Sequence, residues 1–372
     1  MSRPRVLFVS KAVAPPFHDG AACLVRDLCA GLSRCEATIM TTRGGPQLGE
    51  HIHHAPIYAT HSRFSPALRD NARVFGHVLA DRRHDLWHFV FAPNPLSSRA
   101  GTMLRTLRSV PIVQTVASQP RSFDHVERLL FGDRVVALSR YTADRLVQAG
   151  VAAARIAVVP PPIADVARSE ADRTEALRAA GLLAGVPTFL YPGDLEFSGG
   201  ASTVARAAAS ILRDVPRAQL VFACRAKTDK AKQAQAVLSA ELQPHGDRVR
   251  FVGEVPDLPA LIGAATAVLF PVDDLFGKVD LPYAVLEAAL LQVPVVVADR
   301  GPLAELSHAP AIAPGDAAAL AQWCVRIARD EALRAQIGAA LRQSVRSACA
   351  PEVVAAAYED IYDELASAKV DR

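Results

Sequence analysis

Several features that mark particular classes of protein are scarce or absent in this sequence of 372 residues. Its six cysteines form no C-x-x-C pair, and none lies near a histidine at zinc-ligand spacing, so they fit buried apolar side chains in a reducing compartment. The longest apolar run, around "ALIGAATAVLFPV", is shorter than the ~20 residues of a membrane-spanning helix. The apolar run near the N-terminus is too short for a signal peptide. The sequence therefore predicts a cytoplasmic protein without a membrane span.

Charge is nearly balanced over the whole chain, with a formal net charge of +3. That excess is too small to indicate a nucleic-acid-binding protein. Residues 61–108 depart from the balance, because they contain eight arginines, no lysine and three aspartates. Such an excess suits an acidic membrane surface or an acidic substrate, and an ordinary solvated face has the same composition. Any peripheral contact with the inner membrane face is therefore expected through this arginine-rich part of the N-terminal domain.

Short apolar runs rich in valine, leucine and phenylalanine alternate with longer stretches that have helical spacing. This alternation predicts α/β domains built on parallel sheets. Three prolines, Pro160–Pro162, predict a hinge, because a strand that leads into them can neither continue a ladder nor begin a helix. The strand and helix pattern then starts again, which predicts two Rossmann-like, doubly wound domains facing a cleft. The main runs predicted as strands are 5–10, 36–42, 86–92, 110–116, 134–139, 188–193, 218–225, 248–255, 267–272 and 294–299.

In open parallel sheets, ligands bind at the carboxyl ends of the strands. We expect the loops at those ends to face one another across the cleft. The rule selects "KAVAPPFHDGAA" and "TVASQP" in the first domain, and "PGDLEFSGGA", "CRAKTDK", "PVDDLFGKVDLPY" and "DRGPLAE" in the second.

Some histidines and aspartates raise the question of a metal site. His51 and His53 would share one face of an extended segment, as metal ligands do, but no third ligand is visible and a surface loop is preferred. His88 falls within a predicted strand, where a hydrogen-bonded core histidine is expected. Asp273 and Asp274 fit a solvated turn. The sequence thus predicts no metal site.

Three segments together resemble a known family. "VVALSRYTADRLVQAGVAAARIAVVPPPI" resembles the segment that joins the two domains of retaining glycosyltransferases of the GT-B fold, family 4. "PGDLEFSGG" occupies the place of their phosphate loop, and "DLPYAVLEAALLQVPVVVADRGPLAEL" resembles their paired-glutamate donor site. The resemblance implies transfer of a sugar from a nucleotide-diphosphate donor with retention of configuration, without a metal or other cofactor. Together with the proline hinge it gives domains of 1–163 and 164–350, and a C-terminal helix, 351–368, that crosses back onto the first domain.

The resemblance assigns donor-binding roles around Glu287. Glu287 matches the second glutamate of the family's pair, which accepts hydrogen bonds from the ribose hydroxyls. The helix with Pro282 in its first turn, followed by Tyr283 and Ala284, is placed to stabilise the diphosphate through free N–H groups and the helix dipole. Glu305 is as consistent with orienting a loop as with an ordinary position early in a helix.

Three positions depart from the family's pattern. Val279 stands at the place of the first glutamate, Asp194 at that of an arginine of the phosphate loop, and Gly199 at that of its lysine. Beside Val279, we take Lys278 and Asp280 as candidate catalytic residues, Lys278 toward phosphate and Asp280 toward the donor sugar. Other cations and glycines on the selected loops would complete the diphosphate site: Arg225, Lys227, Arg300, Gly193, Gly199 and Gly200.

The histidine that the family commonly carries near the reacting carbon is absent. The loop at its place reads "QTVASQP", so Ser118 or Gln119 would donate a hydrogen bond to a sugar hydroxyl, or the helper is missing. In the first loop, His18 and Asp19 are candidates for the acceptor, and Gly20 would let the loop approach the donor closely. The acceptor stays open among a carbohydrate, a lipid-linked sugar and a small molecule.

Two alternatives compete with a glycosyltransferase. A catalytically silent GT-B module that binds a sugar or a partner chain would explain the missing arginine, lysine and glutamate. A nonhydrolysing sugar-nucleotide epimerase on the same fold would need more acids and histidines in the cleft than the sequence offers.

Overall fold

The computed structural model shows a chain that folds as two compact units. Unit 2 is interrupted by a short excursion, because the chain enters unit 1 at Phe276 and leaves it again after Leu281. Unit 1 comprises Met1–Ala164, Phe276–Leu281 and Ala348–Arg372, and unit 2 comprises Asp165–Leu275 and Pro282–Ser347. The residues that the structure describes are 3–15, 17, 19–44, 48–59 and 67–370.

Unit 1 is built on a parallel sheet whose described strands are β1 Arg5–Val9, β2 Glu36–Thr42, β3 Ile52–Tyr58, β4 Leu86–Phe91, β5 Ile112–Val116, β6 Arg134–Ala137 and β7 Ile156–Val158. Their order is β3-β2-β1-β4-β5-β6-β7. All five residues of β5 are buried, and so are four of the five in β1. Such runs arise because helices cover both faces of a parallel sheet.

The first helices of unit 1 are α1 Gly20–Gly31, α2 Leu68–Ala80, α3 Pro95–Leu107 and α4 Arg140–Gln148. Three of them start at a polar residue whose side chain accepts a backbone N–H of the first turn, namely Asp19, Asn94 and Ser139. Such caps satisfy N–H groups that have no partner within the helix.

Unit 2 repeats the design with the described strands β8 Thr188–Tyr191, β9 Gln219–Phe222, β10 Val249–Phe251, β11 Ala267–Phe270, β12 Val295–Ala298 and β13 Ala311–Ile312. They form a parallel sheet in the order β10-β9-β8-β11-β12-β13. Its helices are α5 Glu170–Ala179, α6 Gly200–Asp214, α7 Asp229–Leu242, α8 Leu258–Gly263, α9 Tyr283–Leu290, α10 Ala317–Arg329 and α11 Glu331–Cys349.

The last helix, α12 Pro351–Val370, packs within unit 1. Its Tyr362 hydroxyl lies 2.7 Å from Nδ1 of His88, and the other ring nitrogen of His88 lies 2.7 Å from Oγ1 of Thr115. His88 is fully buried, which confirms the prediction of a hydrogen-bonded core histidine. Gly31 allows the contact at the helix start, because a Cβ there would lie 2.2 Å from the carbonyl oxygen of Pro351.

The prediction of a surface loop at His51–His54 is wrong, because His53 and His54 belong to β3. Ile52, Ala55 and Tyr58 are buried in that strand, and β3 pairs with β2 at the edge of the sheet. These three apolar positions are the part of the segment that a strand buries. None of the helices described here combines the length and the apolar character needed to cross a bilayer.

Candidate active site

The strand orders locate a candidate site in each unit. In unit 1 the order reverses between β1 and β4, and in unit 2 it reverses between β8 and β11. Loops that leave such neighbouring strands in opposite directions open a crevice at their carboxyl ends. The loops after these strands, together with the loop after β5, contain most of the predicted site residues.

Asp19 organises the loop after β1. Its Oδ1 accepts hydrogen bonds from the two N–H groups that follow Gly20, at 3.0 and 3.4 Å, and Lys11 Nζ lies 2.8 Å from its Oδ2. Burial alone would raise the pKa of Asp19, but the Lys11 ammonium and the two N–H donors bring it below its ordinary value. Asp19 is thus an ionised helix cap. The predicted role of Gly20 stays a prediction, and His18 lies outside the described residues.

The segment Phe276–Leu281, here called the anchored segment, pairs with the loop after β5. Gln119 forms a parallel bridge with Phe276, and its N–H donates to the carbonyl of Lys278 at 3.4 Å. The Arg121 guanidinium lies over the ring of Phe276, 5.2 Å from its centroid. Backbone pairing and a cation–π contact therefore join this segment to unit 1.

Asp280, the next-to-last residue of the anchored segment, lies in the interior of unit 1 with 1% of its surface exposed. Ser139 donates its hydroxyl hydrogen to Oδ2 at 2.6 Å, and the amide of Gln119 donates to Oδ1 at 3.3 Å. The same Ser139 oxygen caps α4, because it accepts the N–H of Thr142 at 3.0 Å. Sequence reasoning missed Ser139, although its place just beyond β6, a neighbour of β5, was a usable signal.

The remaining predicted residues near Asp280 differ in accessibility. Val279, at the place of the family's first glutamate, is buried. Lys278 and Ser118 are half-buried. The roles predicted for Lys278, Ser118 and Asp280 stay predictions, since these positions establish placement and hydrogen bonding but no contact with a substrate.

Asp194, at the place of the family's arginine, folds the loop after β8 around itself. Its Oδ1 accepts the N–H groups of Glu196 at 2.9 Å, Phe197 at 2.5 Å and Ser198 at 3.2 Å. Its Oδ2 accepts the hydroxyl hydrogen of Ser198 at 2.9 Å. The negative charge that the sequence adds to this loop is therefore taken up by the loop's own donors.

Packing against Tyr191 requires glycine at two positions of the loop after β8. A Cβ on Gly193 would lie 2.3 Å from the ring of Tyr191, and one on Gly200 would lie 2.8 Å from its hydroxyl oxygen. The N–H of Gly199, at the N-cap of α6, donates to Oδ1 of Asp273 at 2.8 Å. Close approach of a phosphate to Gly193, Gly199 and Gly200 stays a prediction, and one N–H of this turn already has a carboxylate partner.

The predicted cations of unit 2 lie on two further loops. Arg225 is half-buried and Lys227 is exposed after β9, where the N–H of Lys227 donates to the carbonyl of Arg225 at 3.0 Å. Arg300 is exposed after β12, and its Nε lies 3.8 Å from Asp299. Their predicted contacts with a diphosphate stay predictions.

Helix α9 presents a narrow accessible face. Pro282 is its N-cap, with φ −60° and ψ 140°, so the helix begins at Tyr283 and the prediction of Pro282 inside the first turn is wrong by one residue. The extended ψ keeps the Pro282 carbonyl as the first acceptor of the helix, for the N–H groups of Val285 and Leu286. From 281 to 290, only Tyr283, Ala284 and Glu287 are not fully buried.

One of the histidines considered as metal ligands, His53, lies beside an acidic residue on the sheet. His53 Nε2, on the edge strand β3, lies 4.0 Å from a carboxylate oxygen of Glu36 at the start of β2. Among the described residues, no group of three histidine, cysteine, aspartate or glutamate side chains is arranged to hold a metal ion.

Two protein families match successive parts of the sequence. Residues 18–165 match Glycosyltransferase Family 4, and residues 186–330 match Glycosyl transferases group 1. The search of curated proteins found no significant match.

Similar solved structures extend over nearly the full chain. HepE of Anabaena, solved with UDP and glucose, is 18% identical to this chain with a TM-score of 0.77. The match covers 97% of this chain and 100% of the HepE chain. Sucrose-phosphate synthase of Thermosynechococcus elongatus is 21% identical with a TM-score of 0.75, covering 99% and 100%. WaaG, a glycosyltransferase involved in lipopolysaccharide biosynthesis, is 15% identical with a TM-score of 0.66, covering 96% and 99%.

These structures agree in fold with the two parallel sheets of units 1 and 2, and the two family matches fall one on each unit. The two matched regions contain the loops after β4, β8 and β11 and the accessible face of α9. The chain is therefore an enzyme of the GT-B glycosyltransferases, of the group 1 and family 4 type.

Proposed function

We propose that this protein transfers a sugar from a nucleoside-diphosphate donor to a hydroxyl acceptor with retention of the anomeric configuration. The observation that carries the proposal is the accessible face of α9. Tyr283 and Ala284 lie four and three residues before Glu287, so the three share one side of the helix, and the rest of 281–290 is buried. A helix that offers its first turn and one carboxylate suits a ligand with a phosphate end and a ribose.

The start of α9 would hold the leaving diphosphate. Helices α1, α4 and α7 begin with a side chain that accepts a first-turn N–H, whereas Pro282 offers no side-chain acceptor and no acid lies in the first turn of α9. Backbone N–H groups and the positive end of the helix dipole favour an anion there. As the bond to the sugar breaks, fixed donors would stabilise the charge that develops on the diphosphate.

Glu287 would accept two hydrogen bonds from the ribose hydroxyls, and such charge-assisted bonds favour a ribonucleotide. For retention, the acceptor hydroxyl would attack the anomeric carbon from the face that the diphosphate leaves. The new C–O bond forms as the bond to the diphosphate breaks, and the hydroxyl proton passes to the departing phosphate oxygen. This route requires neither a protein nucleophile nor a metal ion, and we propose that the enzyme works without either.

Ligand-induced stabilisation tests the donor site. HepE was solved with UDP and with UDP-glucose, which makes these the first probes. A ligand at about 100 times its Kd stabilises the folded protein by about 2.7 kcal/mol, so unfolding should shift upward with UDP. Glu287→Gln should weaken UDP binding at least about tenfold, the equivalent of 1.4 kcal/mol. Glu331→Gln, at the start of α11 with 87% of its side chain exposed, is the control, and its affinity for UDP should equal that of the wild type.

The catalytically silent module is the competing proposal. It is favoured by Val279, Asp194 and Gly199, which stand where the family has a glutamate, an arginine and a lysine. If no nucleoside diphosphate shifts unfolding at millimolar concentration, the silent module is preferred. If UDP binds and UDP-glucose releases UDP in the presence of the enzyme, the silent module is excluded.

Lys278 would supply positive charge to the phosphate. Its neighbours in the chain are fixed by the backbone pairing of the anchored segment. Lys278→Ala should lower UDP affinity by roughly tenfold, as loss of a charge-assisted hydrogen bond does. Lys230→Ala, an exposed lysine on α7, is the control, and equal affinities of the two variants would remove Lys278 from the donor site.

We also propose a lipid-linked acceptor and a cytoplasmic enzyme that meets an anionic membrane through α3. Leu96, Met103 and Leu107 project from this helix with exposed fractions of 62%, 47% and 56%. Arg99 and Arg128 flank a surface depression of about 460 Å³ beside it. Apolar side chains beside cations suit an anionic lipid surface, and a role of WaaG in lipopolysaccharide biosynthesis fits such an acceptor.

Flotation with vesicles tests the membrane contact. Binding to vesicles with phosphatidylglycerol, and none to pure phosphatidylcholine, is expected. The double variant Leu96→Ser with Leu107→Ser should lose that binding. Leu183→Ser removes an exposed leucine from unit 2 and is the control. Equal flotation of the wild type and the double variant would contradict the contact.

A further inference from the structure

We infer that Ser139 and Asp280 are positioning residues that set the start of α9 for catalysis by holding the anchored segment on unit 1. The inference rests on the proposed function and adds to it a residue, Ser139, outside the loops that sequence analysis selected. The chain runs almost directly from Asp280 into α9. Asp280 is held in unit 1, and a single residue, Leu281, separates it from Pro282, the N-cap of α9.

Hydrogen bonds to both oxygens hold the Asp280 carboxylate in place. Both carboxylate oxygens accept a donor from unit 1, from Ser139 at 2.6 Å and from Gln119 at 3.3 Å, and the side chain is 1% exposed. A buried carboxylate that lost a donor would lose part of the compensation for its desolvation. The carboxylate therefore resists leaving its place and keeps the end of the anchored segment with it.

Ser139 joins this anchor to a second element. Its oxygen accepts the N–H of Thr142 at the start of α4 while its hydrogen is donated to Asp280. The hydroxyl therefore has one defined orientation, since it uses its donor and one acceptor position at once. At the other end of the segment, backbone pairing with Gln119 fixes Phe276 and Lys278.

The consequence for the reaction follows from geometry. The N–H groups proposed to stabilise the diphosphate begin at Tyr283, three residues after Asp280. Loss of the anchor would let the start of α9 shift, and a misplacement of about 1 Å in a catalytic group can cost up to about 100-fold in rate. The effect should fall on turnover more than on binding, because a transition state demands closer placement than a ground state.

Ser139→Gly is the sharpest variant. Glycine is nearly as good as serine at a helix N-cap, so the change removes the donor to Asp280 with little cost to α4. Ser169→Gly is the matched control, since Ser169 caps α5 and donates its hydroxyl to the carboxylate of Asp172 at 2.7 Å. Ser139→Thr keeps the hydroxyl and should restore the wild-type behaviour.

Two measurements decide the inference. Hydrogen–deuterium exchange should quicken in Phe276–Leu281 and in the first turn of α9 for Ser139→Gly, and in neither place for Ser169→Gly. With UDP-glucose as the probe, UDP release should slow by at least about tenfold, while the Kd for UDP changes by less than about threefold.

The outcomes separate this inference from the proposed function. Exchange that quickens only in α4 would overturn it, because Ser139 would then be a cap and nothing more. Turnover and UDP affinity that fall by the same factor would also overturn it. If the wild type neither binds nor releases UDP, the proposed function fails, and the exchange in the first turn of α9 alone then decides whether Ser139 holds the segment.

Discussion

Asp280 and Glu359 are acidic residues that lie inside unit 1, and each has several hydrogen-bond donors. Glu359 accepts the N–H groups of Ser33 and Arg34 and the Nε–H of Arg34, and Asp280 accepts from Ser139 and Gln119. Burial of a carboxylate is tolerable only with such partners. Composition could not show them, because the donors lie far away in the sequence.

His88 makes the stability of unit 1 depend on pH. Burial lowers the pKa of His88 from its ordinary 6.5 to about 3, so the folded protein keeps the ring neutral while the unfolded chain takes up a proton. Its contribution is complete above pH 6.5 and is lost as pH falls toward 3. Between pH 7 and pH 5 we expect a loss of about 2 kcal/mol of unfolding free energy.

Urea unfolding at several pH values measures this contribution of His88. The glutamine of His88→Gln does not titrate in this range. The difference in unfolding free energy between the wild type and the variant should therefore shrink by about 2 kcal/mol between pH 7 and pH 5. A difference that does not change with pH would show that His88 is not a buried neutral ring.

Asp194 should stabilise unit 2 through its own loop. Asp194→Ala would leave three N–H groups of a half-buried turn without their acceptor, which we expect to cost about 2 kcal/mol of unfolding free energy. Asp229→Ala removes an almost fully exposed aspartate of α7 and should cost less than about 1 kcal/mol. Urea unfolding of both variants provides the measurement, and equal costs would mean that the Asp194 bonds contribute nothing beyond a surface charge.

At the level of elements, α12 is held by partners that are distant in the chain. It contributes Tyr358 and Tyr362 to the core of unit 1, and Arg34 meets three of its acids, Glu359, Asp360 and Asp363. These acids differ in burial, since Glu359 is buried while the other two are more accessible. The anchoring of the helix therefore rests on Glu359 rather than on the number of ion pairs.

Paired substitutions separate the buried acid from an accessible one. Glu359→Ala removes the shared acceptor of the Ser33 and Arg34 N–H groups and of the Arg34 guanidinium, and should cost about 2 kcal/mol of unfolding free energy. Asp363→Ala removes a more accessible partner of the same arginine and should cost about 0.5 kcal/mol. Thermal or urea unfolding distinguishes the two, and similar losses would refute a dominant role for Glu359.

Considered as a whole, the molecule builds unit 1 from three separate pieces of chain. The last piece supplies α12, against which Gly31 and His88 are fitted. Unit 1 therefore cannot reach its described core until the end of the chain is present. The anchored segment links the two units along the chain, because the connection from β11 to α9 passes through residues held in unit 1.

Truncation tests this dependence on the C-terminus. A chain that stops after Ala350 lacks α12 and should lose near-ultraviolet circular dichroism and aggregate, because large apolar surface of unit 1 becomes exposed. A chain that stops after Ser367 removes only the last residues and should unfold like the full protein. If the first truncation unfolds cooperatively at the wild-type temperature, α12 is not part of the core of unit 1.

The sequence by itself determined the two parallel sheets, most strand positions and the family, because apolar runs and their order are local properties that survive without neighbours. It also marked Tyr283, Ala284 and Glu287, because the segment around them resembles the family's donor site and begins a helix whose N–H groups suit a diphosphate. Tertiary structure alone decided that Asp194 closes its own loop, that Phe276–Leu281 joins unit 1, and that Ser139 holds Asp280. The physical reason is that a buried carboxylate needs hydrogen-bond donors, and these come from other strands and loops. Because the donors are distant in the sequence, no local pattern indicates which of them will contact the carboxylate.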